Sequence, residues 1–209
     1  MTPQEVFQLP VRPSLQRITQ SIAQLQATRV LELGTSVGVS TRLISQALQV
    51  TKGHLWSIDI NPPIDNWHLA WDCSNIAFLQ HDALTYPWKQ EVDLLFIDDK
   101  HSYRHLLQEL RKYAPWVRAG GVIYVDDTTK ADDTFSHEQF CGLAVTWAIQ
   151  MFCRELQLPW HSYHEDAQGL AEIPVPSQIA PLLPLDKRWH NITGVAAIVN
   201  SVTYHRDDV

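Results

Sequence analysis

The sequence predicts an α/β fold: a doubly wound, mostly parallel, seven-stranded sheet with helices on both faces, in one domain over residues 1–209. Three observations lead there. Short apolar runs alternate with helically periodic segments between residues 29 and 127, the order of successive β–α–β units with parallel strands. An acid lies at or near the carboxyl end of each of the first five runs: Glu32, Asp59, Asp82, Asp98 with Asp99, and Asp126 with Asp127. The first run also passes through a turn holding Gly34 and Gly38 into a helix, which aims backbone N–H groups and the positive end of the helix dipole at a ligand.

Thr2-Pro3-Gln4-Glu5 fits a capping box with proline at the first helical position and predicts a short opening helix, interrupted by Pro10 and Pro13. A second helix is expected over 14–26, where Leu15, Ile18, Ile22 and Leu25 share a face, so residues 1–27 form an N-terminal helical region. Val30, Leu31 and Leu33 suit a strand buried on both faces. Glu32, inside that strand, is costly to desolvate unless it meets a cation or several donors. Leu43, Ile44, Ala47 and Leu48 then recur with helical spacing.

Residues 54–60, 75–82 and 92–99 read as strands two to four, with a weak helical segment over 64–71. Ser102 can cap the next helix, which turns Leu106, Leu107, Leu110 and Val117 inward, and Gly120-Gly121 breaks it before a fifth strand over 122–127. A capping-box pattern at Ser136 opens a helix whose Phe140, Leu143, Ala144, Trp147, Ala148, Met151 and Phe152 are expected in the core. Residues 158–163 and 192–199 read as the last two strands. Pro174, Pro176, Pro181 and Pro184 predict a long loop or lid over 164–191.

Composition narrows the function. Hydrophobic residues make up 45% and charged residues 19%, which suits a packed globular core rather than disorder. A formal net charge of −7, with Lys and Arg scattered, argues against nucleic acid as a partner. No run approaches the length of a membrane span, and Met-Thr-Pro-Gln-Glu lacks the basic start of a secretory signal. Cys73, Cys141 and Cys153 lack metal-binding spacing and read as reduced thiols of a cytoplasmic protein.

Ligands of open parallel sheets bind outside the carboxyl ends of the strands, where the strand order switches. Five acidic strand ends on that rim repel one another unless a cation or a donor-rich ligand is present. Asp59 follows Gly34 by about 25 residues, the distance for a carboxylate that accepts hydrogen bonds from a ribose. Gly34-x-x-x-Gly38 is not the G-x-G-x-x-G of nicotinamide or flavin folds, and no Lys-Ser/Thr pair follows as in a phosphate loop. An acidic rim repels phosphates and suits a nucleoside that carries a sulfonium and an ammonium.

On these residues the chain resembles the class I S-adenosylmethionine-dependent methyltransferases, in the small O-methyltransferase-like branch that includes cephalosporin-hydroxylase-like and macrolide-sugar enzymes. Val30-Leu-Glu-Leu-Gly-Thr-Ser-Val-Gly-Val-Ser40 is similar to the first motif in its E-x-G-x-x-x-G-x-S form, and Phe96-Ile-Asp-Asp-Lys-His-Ser-Tyr103 to an I-D-x-x-H-S-Y signature. Asp59 matches the ribose acid and His81-Asp82 the motif beside the adenine. Pro115 to Gly121 with Val125-Asp126-Asp127 resembles P-x-x-x-x-G-G and an acidic fifth strand end. The resemblance covers about residues 28–130. It departs at Lys100, a slot that is often Asp, and has no counterpart for 164–191.

The resemblance implies a Rossmann-like methyltransferase fold, S-adenosylmethionine as cofactor and methyl transfer to a small molecule, with a hydroxyl oxygen as the acceptor atom. It assigns the cofactor contacts to Glu32, Gly34, Thr35, Ser36, Gly38, Ser40, Asp59, Ile60, His81, Asp82, Ala83 and Asp98. Asp98, Asp126 and Asp127 form a carboxylate set suited to Mg²⁺, as the branch often has, and a bound cation would lower the pKa of a coordinated hydroxyl. The competing reading leaves Asp98 to orient the cofactor's ammonium and the other two as solvated loop acids. His101 is the candidate general base, with helix-start packing as its alternative, and Lys100 an electrostatic aid. Trp67, Trp71 and Trp88 are candidates for an acceptor pocket or for packing. The 164–191 segment could also serve as a homo-oligomer interface. Two rival functions stand beside methyl transfer: a non-catalytic S-adenosylmethionine-binding scaffold and a nicotinamide-dependent oxidoreductase.

Overall fold

The structure, a computed structural model, describes residues 11–61, 74–129 and 142–177. Its strands are β1 (Arg29–Leu33), β2 (His54–Asp59), β3 (Ile76–Gln80), β4 (Val92–Ile97), β5 (Val117–Asp126), β6 (His161–Tyr163) and β7 (Leu170–Pro174). The helices are α1 (Pro13–Leu25), α2 (Val39–Thr51), α3 (Tyr103–Tyr113) and α4 (Gly142–Leu156). All seven strands join one sheet in the order β3-β2-β1-β4-β5-β7-β6. The first five pair in parallel, while β7 runs antiparallel to both β5 and β6. The strand order reverses between β1 and β4, so the ligand crevice of such a sheet opens there.

Strand alternation decides what each face buries. Val30, Leu55, Leu94 and Phe96 pack beneath α1 and α2 with Leu15, Ile18, Ile22, Ile44 and Leu48. Leu31, Leu33, Leu95 and Ile97 face the other way, against Leu106, Leu110, Val145 and Phe152 of α3 and α4. Burying one such side chain contributes about 1.5–3 kcal/mol, so the two layers together supply the driving force for the sandwich. The same alternation sends Glu32 into the α2 face.

Several expectations change. Residues 170–174, expected in a loop, form β7. Leu170, Ala171 and Ile173 bury there, and Pro174 is tolerated because it ends the strand. The opening helix, the 64–71 segment and a strand over 192–199 lie outside the described residues, as do Trp67 and Trp71. Ser102 precedes α3 but makes no side-chain cap bond. Gly120-Gly121 does not end that helix, which gives way to a 3₁₀ turn at Ala114–Trp116, and β5 begins at Val117. The glycines lie in a bulge instead. Asp93 faces residues 118–121, Gly120 has φ of 73°, and a Cβ on Gly121 would meet the Asp93 carbonyl oxygen at 2.6 Å.

In α4 the buried stripe is Val145, Ala148, Ile149, Phe152 and Cys153. Trp147 and Met151, expected in the core, are 56% and 40% exposed, because the apolar pattern fits two registers and the sheet takes the other. Trp88 packs into the core and donates its Nε1 proton to Gln90 O at 2.7 Å, so it lines no acceptor pocket.

Candidate active site

The turn after β1 is forced by close approach. Gly34 has φ of 93°, and any Cβ there would collide with the backbone carbonyl of Asp98 at the end of β4. Gly38, at φ of 80°, is the N-cap of α2. Between them, Thr35 N and Ser36 N both donate to Asp59 Oδ2, at 2.8 and 2.9 Å, while Asn61 N donates to Oδ1 at 2.8 Å. One carboxylate at the end of β2 therefore fixes the glycine turn and the chain leaving β2. Carboxylates also have lone-pair sites beyond these three bonds.

Glu32 is fully buried and lies behind the cavity rather than on its wall. It accepts hydrogen bonds from Ser40 Oγ, Thr41 Oγ1 and Ser57 Oγ at 2.6, 2.6 and 2.7 Å. Three hydroxyls are the donor set that its burial demands, and through Ser40 and Thr41 they lock the first turn of α2 to β1. Burial nevertheless raises the carboxyl to about 7, against the lowering effect of those bonds.

A cavity of 740 Å³ opens at the carboxyl ends of β1, β2 and β4. Its walls include Gly34, Ser36, Asp59, Ile60, His81, Asp82, Ala83, Asp98, Lys100, His101 and Asp127, all of them site residues expected from the sequence. A smaller cavity of 370 Å³ adjoins it, lined by Thr35, Gly38 and Ser40. Ser36, Asp98 and Gln168 line both. Ala83 is held from behind, its carbonyl accepting from Lys112 Nζ at 2.7 Å and Tyr113 Oη at 2.6 Å. His81 stacks edge-on with Tyr86 at the mouth.

The acids on this rim are handled in different ways. Asp126 is buried and its Oδ2 lies 2.5 Å from Arg12 Nη2, so its nearest cation comes from the segment before α1. Asp127, at φ of 60°, turns to His101 instead. His101 is buried between two carboxylates: Nε2 is 3.5 Å from Asp98 Oδ1 and Nδ1 is 3.6 Å from Asp127 Oδ2. Burial first, then the charges of Asp126 and Asp127, push the Asp98 carboxyl well above its ordinary range. Asp98, His101 and Asp127 thus form a group of potential metal ligands, and Asp126, expected among them, is engaged by Arg12.

Sequence reasoning missed Arg12, Gln168 and a second cluster of Asp99, His105 and Glu109. The His105-x-x-x-Glu109 spacing on a helix was a usable signal. Nothing in the sequence marks Arg12 or Gln168, which reach the site only through tertiary packing.

The strand order and the glycine-turn cavity are those of a Rossmann-like methyltransferase fold. Residues 31–128 match the model of a methyltransferase domain. The fold is similar to that of a methyltransferase from Podospora anserina bound to S-adenosylhomocysteine, at 15% identity and TM-score 0.65, covering 80% of each chain. It is also similar to an O-methyltransferase from Bacillus cereus in complex with S-adenosylhomocysteine, at 18% identity and TM-score 0.60, covering 83% of this chain and 90% of that one. The O-methyltransferase TomG from Streptomyces achromogenes, in complex with S-adenosylmethionine, gives 18% identity and TM-score 0.57, with 83% and 86% covered. No curated protein matches the sequence.

Proposed function

We propose that the protein methylates a hydroxyl oxygen of a small molecule, with His101 as the general base and Asp98 and Asp127 as the carboxylates available to Mg²⁺. The observation that carries this is the lodging of His101 between Asp98 and Asp127 at the wall of the 740 Å³ cavity. S-adenosylmethionine, when bound, supplies a methyl group activated on a sulfonium sulfur. The cavities suit such a donor. A glycine turn without a Cβ admits close approach at Gly34, Asp59 stands at the end of β2 for a ribose, and the acidic wall favours a cationic ligand.

The chain's own residues have three tasks. The Asp59-braced turn and α2 orient the donor, the walls hold the acceptor in line with it, and His101 takes the hydroxyl proton. Asp98 and Asp127, on opposite nitrogens of the ring, stabilise the imidazolium that forms. Mg²⁺ favours oxygen ligands, so Asp98 and Asp127 fit it better than His101 does, while Asp126 already has a cation in Arg12. The buried free thiol of Cys153 supports a reducing compartment, the cytoplasm.

Calorimetry with S-adenosylmethionine and with NAD, followed by a screen of hydroxylated small molecules for transfer of a labelled methyl group, tests the reading. Binding of the methyl donor alone and label recovered on an acceptor oxygen are expected. No binding of the donor at millimolar concentration overturns it. Magnesium titration of an Asp127→Asn variant tests the metal separately, and unchanged affinity removes Asp127 as a ligand.

A further inference from the structure

A second trio sits on the wall of the same cavity. Asp99 follows β4, while His105 and Glu109 lie four residues apart on α3 and so share one face. Asp99 and His105 line the cavity, and Glu109 lies behind them, fully buried. The ligand atoms of the three lie within 4.8 Å of one another.

The geometry converges on one atom. His105 Nε2 is 3.1 Å from Asp99 Oδ2 and 3.4 Å from Glu109 Oε1. A single N–H donates well to one acceptor, and here it faces two. Neither oxygen of Glu109 has a hydrogen-bond partner, and Asp99 Oδ1 is likewise buried without one. A buried carboxylate left this way is costly, and the positive charge available where the three side chains meet is that of a protonated His105. Against the lowering effect of burial, Asp99 and Glu109 raise it to about 10, and an ion would replace that proton. His101 is arranged differently: its two acids face opposite nitrogens, and no single ion can bind both nitrogens of one ring.

We propose that Asp99 Oδ2, His105 Nε2 and Glu109 Oε1 form a site for one divalent first-row transition ion, such as Zn²⁺, Mn²⁺ or Co²⁺. Bonds of about 2.1 Å place neighbouring ligand atoms roughly 3.0 Å apart in an octahedron and roughly 3.4 Å apart in a tetrahedron. The observed 3.1 and 3.4 Å match those edges. One imidazole with two carboxylates favours such ions over Ca²⁺ or Mg²⁺, which prefer oxygen alone. Two protein elements would be tied together, the end of β4 and α3, and the remaining ligand positions would open to the cavity through Asp99 and His105. The site stands independently of the methyl-transfer reading and shares no residue with the Asp98–Asp127 pair.

The test is a Co²⁺ titration of the chelator-stripped full chain, followed by visible d–d absorption and by calorimetry. With Mg²⁺ in excess to occupy the oxygen-rich Asp98–Asp127 pair, one Co²⁺ per chain is expected. Affinity should fall at least tenfold in His105→Gln and in Glu109→Gln, and stay unchanged in Val50→Ala, an exposed position outside both cavities. Far-ultraviolet circular dichroism checks folding. His105 is the more exposed of the two, so His105→Gln decides the matter if Glu109→Gln does not fold. Absence of Co²⁺ uptake by the wild type, or uptake undiminished in His105→Gln, overturns the proposal.

Discussion

Arg12 Nη2 lies 2.5 Å from Asp126 Oδ2, joining the residue before α1 to the carboxyl end of β5. The partner acid is almost fully buried and the arginine about a quarter exposed. The bridge therefore sits between the weak surface pair and the costly interior one.

Replacing Arg12 with Met keeps most of the volume and removes the charge. Asp126 would then be buried without its cation, and we expect a loss of about 2 kcal/mol at pH 7, read by urea unfolding. The loss should depend on pH in a definite direction. Burial already raises Asp126 above the ordinary carboxyl range, and removing Arg12 raises it further. A group raised in the folded state stabilises below its unfolded pKa and loses that contribution as pH rises. Arg12→Met should thus be nearly as stable as wild type in acid and fall behind as the solution is neutralised. A deficit equal at both pH values would mean that packing, not charge, carries the contact.

Glu32 makes a similar prediction without a cation. Burial raises its carboxyl to about 7 in the folded protein against an ordinary 4.5, a difference that corresponds to about 3 kcal/mol. Glu32 contributes fully below pH 4.5, and its contribution fades as pH rises through 7. Glu32→Gln keeps the shape, and its amide can bond rotated hydroxyls of Ser40, Thr41 and Ser57. The stability of wild type relative to Glu32→Gln should therefore fall between pH 5 and pH 8. Parallel denaturation curves over that range would refute the assignment.

Asp59 braces the glycine turn with Oδ2 and the chain leaving β2 with Oδ1, so Asp59→Asn must turn an amide N–H₂ towards at least one backbone N–H. Hydrogen bonds to a charged acceptor contribute about 1.5–3 kcal/mol, which converts to a tenfold to hundredfold weaker grip on the methyl donor. Calorimetry reads this directly. Donor affinity within twofold of wild type would show that the turn holds without Asp59.

Gly34→Ala gives a coarser outcome. The added methyl meets the Asp98 carbonyl at a φ that alanine disfavours, so we expect more than about 2 kcal/mol of destabilisation and no donor binding. Unchanged thermal stability would rule out the close approach of β1 and β4 at this turn.

The positions of the five acids were legible because a parallel strand has one direction, so its last residue must fall on the ligand rim. Their partners were not. Glu32 and Asp59 lie at the ends of neighbouring strands, yet one is sealed behind α2 and the other lines the cavity. That difference follows from the parity of one residue in β1, together with the hydroxyls at 40, 41 and 57. Arg12 reaches Asp126 across 114 residues of sequence, and no local pattern encodes such a contact. In α4, local periodicity permitted two registers, and packing against the sheet chose the one that exposes Trp147. The prolines after residue 164 outweighed the short alternation of Leu170 to Ile173, which the edge of β5 turns into a strand.

His101 carries the sharpest prediction of the proposed chemistry. Its ring is buried, and each nitrogen faces a different carboxylate, so it can pass a proton only if it reorients little and keeps one acid as its orienter. A positioned general base contributes about 10²–10⁴-fold to the rate. His101→Ala should lower kcat by that factor on any acceptor found in the screen while leaving calorimetric donor affinity within a few-fold of wild type. A structural role would move the second quantity and not only the first. Loss of donor binding alongside activity would assign His101 to packing of the 98–102 turn, and retention of kcat would remove it from the proton path.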